Sequence, residues 1–245
     1  KFIFMQNYIQ LFLTDELFII ALKNTMIFAI ATGPGSYFIS LITAWFLNEL
    51  SPRARSIVTF IFYAPSISGN AMLVWTLAFS GDSYGYVNGW LMKLGIISEP
   101  ILWFTNTKYI MPLCIVVSLW MSLGTSFLAF IAGFQGINHD MYEAAAIDGI
   151  KNRWQELWYV TLPSMKPQLM FGAVMAITGA FNFGGVVESL AGNPTTDYCA
   201  YTLTMHLNEY SGVRWEVGYA SAIAFIMFLL MFGSNMLIHK LLSKV

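Results

Sequence analysis

The chain is short of charge. Only 10% of its 245 residues are Asp, Glu, Lys or Arg, 57% are hydrophobic, and the mean hydropathy is +0.63. A soluble domain carries about 25% charged residues, so this chain has too few to cover a water-facing surface and belongs in a membrane. Its twelve Lys and Arg are spread thinly and the net charge is −1, which sets nucleic-acid binding aside. The two cysteines, Cys114 in an apolar run and Cys199 in a polar loop, give neither a disulfide framework nor a metal-ligand spacing. His139, His206 and His239 are scattered, and structural or solvated roles suit them. The sequence has no G-x-x-x-x-G-K-[ST] phosphate loop, so it does not hold ATP in the usual way, and it shows no catalytic set. No cofactor or metal bound by the chain itself is expected.

What is abundant is apolar sequence in long runs. A helix needs about 20 residues to cross a bilayer, and five stretches supply them: 18–47, 57–79, 109–134, 169–187 and 217–238. The fold class is therefore all-α, a polytopic membrane helix bundle forming a single domain over 1–245. Gly33-Pro34-Gly35 inside the first run predicts a kink or break near mid-depth. In the second run Pro65, Ser66, Ser68, Gly69 and Asn70 suit close packing between helices. Residues 1–16 are too polar to span, and Phe2, Phe4, Tyr8, Leu11 and Phe12 suggest an interfacial helix. Two longer loops remain. Residues 80–107 carry an amphipathic piece around 90–97 with Trp103 at the interface, and 191–216 carry the turn signal Asn193-Pro194-Thr195-Thr196-Asp197.

The runs are nearly free of charge away from their ends. Ion-coupled carriers place ionisable groups there, so the path suits a neutral solute. Aromatic faces, amides and hydroxyls bind sugars, which makes Asn70, Trp75, Trp120, Ser122, Asn182 and Glu188 the candidates for lining a path. Packing between helices is the competing role for each.

The most informative polar stretch is 138–167, set between two apolar runs. Asp140 and Glu143 have the spacing of a capping box, so a helix is expected to start there. Ala144, Ala145 and Ala146 favour helix without bulk, and Gly149 can take the left-handed conformation that stops it. A second helix is expected through Trp154, Leu157 and Trp158 as far as Pro163. An ordinary capped surface helix would account for the local chemistry equally well.

Glu143-Ala144-Ala145, then Asp148-Gly149, then Leu162-Pro163, all between spanning runs, resemble the EAA loop of ABC importer permeases. Trp154-Gln155 and Val160-Thr161-Leu162-Pro163 are similar to the carbohydrate-uptake, maltose-permease-like branch, although the interval from Gly149 to Pro163 is one residue longer than its commonest form. The resemblance implies the ABC type I importer transmembrane-domain fold. It also implies that Glu143, Ala144, Ala145, Asp148 and Gly149 form a coupling helix for ATPase subunits, which would carry ATP and Mg. The implied partners are a second related permease, two ATP-binding cassette ATPases and an extracytoplasmic solute-binding protein, in a prokaryotic cytoplasmic membrane, with transport by alternating access.

With the loop and the C-terminus cytoplasmic, Arg53, Arg55, Lys151, Arg153, Lys166, Lys240 and Lys244 share that side. Lys1, Lys23, Lys93, Lys108 and Arg214 fall on or near the other, the sign of the positive-inside rule. Five spans then put Lys1 outside, so an upstream sixth helix is expected in the native permease. A permease for a non-sugar solute, or a secondary transporter or channel without an ATPase, are the alternatives.

Overall fold

The computed structural model describes residues 4–242, with side chains through residue 240. Lys1, Phe2 and Lys244, named above for the interfacial stretch and the charge bias, lie outside the described residues. All regular structure among the described residues is helical. A short helix α1 (Gln6–Leu13) buries Leu11 and sets Tyr8 edge-on to Phe225, while Phe4 and Phe12 stay exposed. The long helix α2 (Glu16–Asn48) follows, and its first turn is capped by Asp15, whose Oδ1 accepts from the Phe18 amide at 3.0 Å. At about 1.5 Å per residue its 33 residues reach about 50 Å, more than the hydrocarbon thickness.

No break falls at Gly33-Pro34-Gly35, and α2 is one helix from end to end. The glycines serve close packing instead. A Cβ on Gly35 would stand 2.8 Å from Leu119 Cδ2, and one on Gly33 would stand 3.5 Å from the Ala180 Cβ. Ala21, Thr25, Ala29, Gly33, Ser36, Ser40 and Ala44 recur every three or four residues as a buried small-residue face. Neighbouring helices that fit such a face at short range keep a proline-containing segment helical.

The second expected span is also corrected. It comprises α3 (Pro52–Ile67) and α4 (Ala71–Ala78), which meet at 82° rather than forming one helix over 57–79. Ser68 takes extended backbone, and Gly69 and Asn70 make the corner. The next helix, α5 (Tyr86–Lys93), lies about four residues before the amphipathic piece expected at 90–97. It is placed by Asn88, whose fully buried amide donates to the carbonyls of Ser80, Asp82 and Ile101 and accepts from Ile101 N–H and Trp103 Nε1.

Helices α6 (Thr107–Met121) and α7 (Thr125–Gln135) form one apolar run interrupted at Ser122-Leu123-Gly124. The 138–167 stretch holds α8 (His139–Ile147), α9 (Arg153–Glu156), a π-helical turn (Leu157–Thr161) and α10 (Leu162–Ser164). Then α11 (Lys166–Phe181) bends by 43° into α12 (Gly184–Ala191) at Asn182-Phe183. The loop read as a turn also contains α13 (Leu203–Asn208), and α14 (Val217–Leu242) closes the chain. Among the described residues three helical segments, α2, the α6–α7 run and α14, are long and apolar enough to cross a membrane, or five spans if each bent pair is one. Ile57, Phe60, Ile61, Phe228, Phe232 and Leu237 face outward, as a hydrocarbon surround requires.

α2 packs against α6, α7 and α11, the last presenting Gly172, Ala173, Ala176 and Ala180. Its two ends hold polar partners far away in sequence. At the first end the buried Asn24 donates to the Tyr198 and Tyr201 carbonyls, and Thr25 Oγ1 accepts from the Leu203 amide. Asp15 Oδ2 accepts from Tyr219 at 2.7 Å and lies 3.0 Å from His206 Nε2. Burial acts to raise the Asp15 carboxyl, but the hydrogen bonds from Tyr219, the Phe18 amide and His206 outweigh it and leave Asp15 below its ordinary value. Burial holds His206 below its ordinary value against the pull of Asp15.

Candidate coupling site

Helix α8 begins one residue before Asp140. Asn138 Oδ1 accepts from the Asp140 amide at 3.1 Å, so Asn138 rather than Asp140 is the N-cap. The Asp140/Glu143 capping box is therefore not formed. Glu143 instead lies 3.6 Å from His139 one turn back, with both side chains largely exposed. The asparagine wins because its carbonyl reaches the first free amide, leaving Asp140 to favour the positive helix end.

The stop is the one expected. Gly149 has φ +93°, the Ile150 amide donates to the Ala145 carbonyl at 3.1 Å, and the Gly149 amide donates to the Ala146 carbonyl at 3.3 Å. Those two bonds are the Schellman pair, and they require the left-handed residue between them. Ala145 is buried while Glu143, Ala144, Asp148 and Gly149 are exposed, and Ile147 is 88% exposed. A groove beside the helix is lined by Met141, Ala144 and Asp148 on one wall and Tyr159, Pro163 and Ser164 on the other.

The second helix restarts with a cap of its own. Asn152 Oδ1 accepts from the Gln155 amide at 2.9 Å, and Gln155 Oε1 returns to accept from the Lys151 amide at 2.9 Å. The Asn-x-x-Gln spacing was readable in the sequence. This helix does not end at Pro163. A π-helical turn over Leu157–Thr161 precedes the proline, so its missing amide falls in the first turn of α10, and the break comes at Met165. Tyr142 fastens α8 to that turn, its hydroxyl 3.3 Å from Thr161 Oγ1, and burial raises its phenol above the ordinary value.

Sequence reasoning missed what ties this unit to the bundle. Arg153 bonds Glu156 at 2.8 Å and reaches Glu49, just past the end of α2, at 3.0 Å. Trp154 stacks at 4.8 Å, tilted, on Trp45 of α2. No local pattern links positions a hundred residues apart.

The six path candidates divide. Trp75 of α4 and Trp120 of α6 meet edge-on at 5.5 Å. Glu188 is exposed on α12, which packs against both helices. Asn70, Ser122 and Asn182 each sit at a helix interruption. The Ser122 hydroxyl is engaged locally, donating to the Leu119 carbonyl at 2.6 Å, while Asn70 and Asn182 are exposed.

Residues 36–245 match the family described as "Binding-protein-dependent transport system inner membrane component". The chain is 30% identical to the probable ABC transporter permease protein YesP of Bacillus subtilis over 246 residues, covering 98% of this chain and 77% of that protein. It is 28% identical to the lactose transport system permease protein LacF of Rhizobium radiobacter, covering 94% and 77%. A chain in the crystal structure of a bacterial ABC transporter involved in the import of the acidic polysaccharide alginate superposes with a TM-score of 0.81. Its sequence identity is 23%, and the match covers 100% of this chain and 85% of that one. That likeness shows the fold, a type I importer transmembrane domain.

Proposed function

The chain belongs to the family of binding-protein-dependent transport system inner membrane components, and we propose that it is the permease subunit of an ATP-driven importer for an oligosaccharide or sugar derivative. The lactose permease LacF and the alginate importer support the sugar class. The near absence of charge within the spans supports a neutral path.

One observation carries the coupling role: Glu143, Ala144 and Asp148 lie exposed on a short helix and its C-cap, stopped at Gly149, and the helix that follows is anchored by Arg153 to Glu49 at the end of α2. Glu143 offers a carboxylate to a partner, Ala144 lets that partner's backbone come close, and Gly149 sets the turn. The partner is an ATPase subunit on the cytoplasmic side, one of two that carry ATP and Mg. A second, related permease and an extracytoplasmic solute-binding protein complete the importer. ATP-driven closure of the ATPase pair moves the loop, and the spanning helices rock to open the path outward. Trp75 and Trp120, already in contact, are the best placed of the path candidates to offer an aromatic face to a sugar ring.

The test is ATP hydrolysis by the co-expressed complex in lipid vesicles, with a panel of binding-protein and sugar pairs, for the natural chain and Glu143→Ala. Stimulation by one sugar, lost in the variant while the protein remains in the membrane, is the expected result. Absence of ATPase activity under every condition would remove the importer reading, and unchanged stimulation of the variant would remove the role of Glu143.

A further inference from the structure

Between α3 and α7, at the membrane face that carries α8, lies a cleft that the coupling role does not use. The two helices run antiparallel there. α3 contributes Arg55, Thr59 and Tyr63, one per turn, and α7 contributes Leu128, Ile131 and Gln135. Polar groups thus stand at the mouth, with Arg55 on α3 and Gln135 on α7, and the walls turn apolar about 12 Å deeper, at Tyr63 and Leu128.

The mouth has a charge without a counter-charge. Arg55 Nη2 donates to the carbonyls of Asn48 and Leu50 at 3.1 and 3.2 Å, and among the described residues no carboxylate pairs with it. Glu49, the nearby acid, is taken by Arg153. Among the described residues Arg55 Nε and Thr59 Oγ1 have no hydrogen-bond partner and are shut off from the surface, so a ligand meets them once their side chains turn into the cleft. A buried donor left unpaired costs about 1–3 kcal/mol, so two such atoms on one wall mark an unmet need.

We propose that this cleft holds the headgroup phosphate of an anionic phospholipid, with Arg55 and Thr59 on the phosphate and an acyl chain against Tyr63, Leu128 and Ile131. An inorganic phosphate would satisfy Arg55 alone; the apolar depth is what favours a lipid. A basic pocket between membrane helices with a hydrocarbon-like floor has the form such headgroup sites take. The site is a property of the membrane bundle and does not depend on the solute or on the ATPase.

Native mass spectrometry of the co-expressed complex, released from nanodiscs containing phosphatidylglycerol and phosphatidylcholine, reads the site directly. The expected result is retention of one phosphatidylglycerol per copy of this chain, with an affinity roughly five- to tenfold weaker in Arg55→Gln. Thr59→Val, which keeps shape and leaves the α2 carbonyls capped, should weaken retention in the same direction. Retention in both variants equal to that of the natural chain would overturn the proposal. So would full competition by inorganic phosphate, which would make the ligand a free anion. Cross-linking of a cysteine placed at Thr59 to the second permease, with no lipid retained, would overturn it in favour of a subunit contact. Sugar-stimulated ATPase activity is not part of any of these readouts, so a failed lipid site and a failed importer assignment remain distinct outcomes.

Discussion

Gly172 is a position at which one added methyl group should destabilise the bundle. It lies on the small-residue face of α11, and a Cβ built there falls 2.3 Å from Phe130 Cζ and 2.5 Å from Cε1. Carbon atoms prefer about 3.5–4.0 Å, so the overlap is about 1 Å or more on two ring atoms at once. The ring has little room to retreat, because Phe130 is 0% exposed and Tyr37 of α2 meets it edge-on at 5.3 Å. Backing α11 away instead would stretch the 3.2 Å bond from Ser126 Oγ to the Gly172 carbonyl and open the contact with α2. Gly172→Ala should therefore destabilise the bundle by about 1–3 kcal/mol, the usual cost of overpacking. Phe130→Leu alone should also destabilise, by leaving space, but the double variant should recover much of the loss because the new methyl fills it. The assay is a double-mutant cycle of reversible unfolding in detergent micelles. A Gly172→Ala variant as stable as the parent, or strictly additive losses in the double variant, would refute the contact geometry.

Two further outcomes follow from the two ends of α2. His206 and Asp15 both have folded pKa values below their unfolded values, so the unfolded chain takes up protons first, and stability present at neutral pH is lost on acidification. The melting temperature should fall as pH drops below about 6.5 and fall further as it drops below about 3.8, and His206→Gln should flatten the first of these slopes; a slope unchanged in the variant excludes His206 as its source. Arg153→Ala removes two exposed ion pairs, each worth about 0–1 kcal/mol, so thermal stability should move little while sugar-stimulated ATPase activity falls; a Glu49→Arg, Arg153→Glu exchange should restore coupling, and failure to restore it assigns the loss to Glu156 instead.

The spanning runs were legible because twenty apolar residues in a row have few other solutions. The helix stop was legible because Gly149 is followed by no competing signal and the αL position needs it. The interruptions were not. Ser68-Gly69-Asn70 can serve close packing within a helix or end one, and local chemistry does not choose between them. Gly33-Pro34-Gly35 looks like a stronger break than Ser68-Gly69-Asn70, yet α2 is continuous while α3 and α4 part at 82°. The difference is tertiary. α2 is enclosed by α6, α7 and α11 with Leu119 and Ala180 against its glycines, whereas Ser68, Gly69 and Asn70 are all exposed and nothing opposes the turn.

That continuity matters for the loop as well as for the fold. At one end α2 is fastened to the 138–167 unit by Trp45 and, just beyond its last turn, by Glu49. At the other it is fastened to the 192–216 loop by Asp15, Asn24 and Thr25. A hinge at mid-depth would let the two ends move independently, since a free φ/ψ change there absorbs displacement. An unbroken helix of 33 residues, with Leu119 too close to Gly35 to admit a methyl and Ala180 at contact range of Gly33, leaves rigid-body motion of the whole rod as the cheaper response to a push at Arg153. The proline at which a kink or break was expected thus lies within the unbroken element that joins the two faces of the bundle.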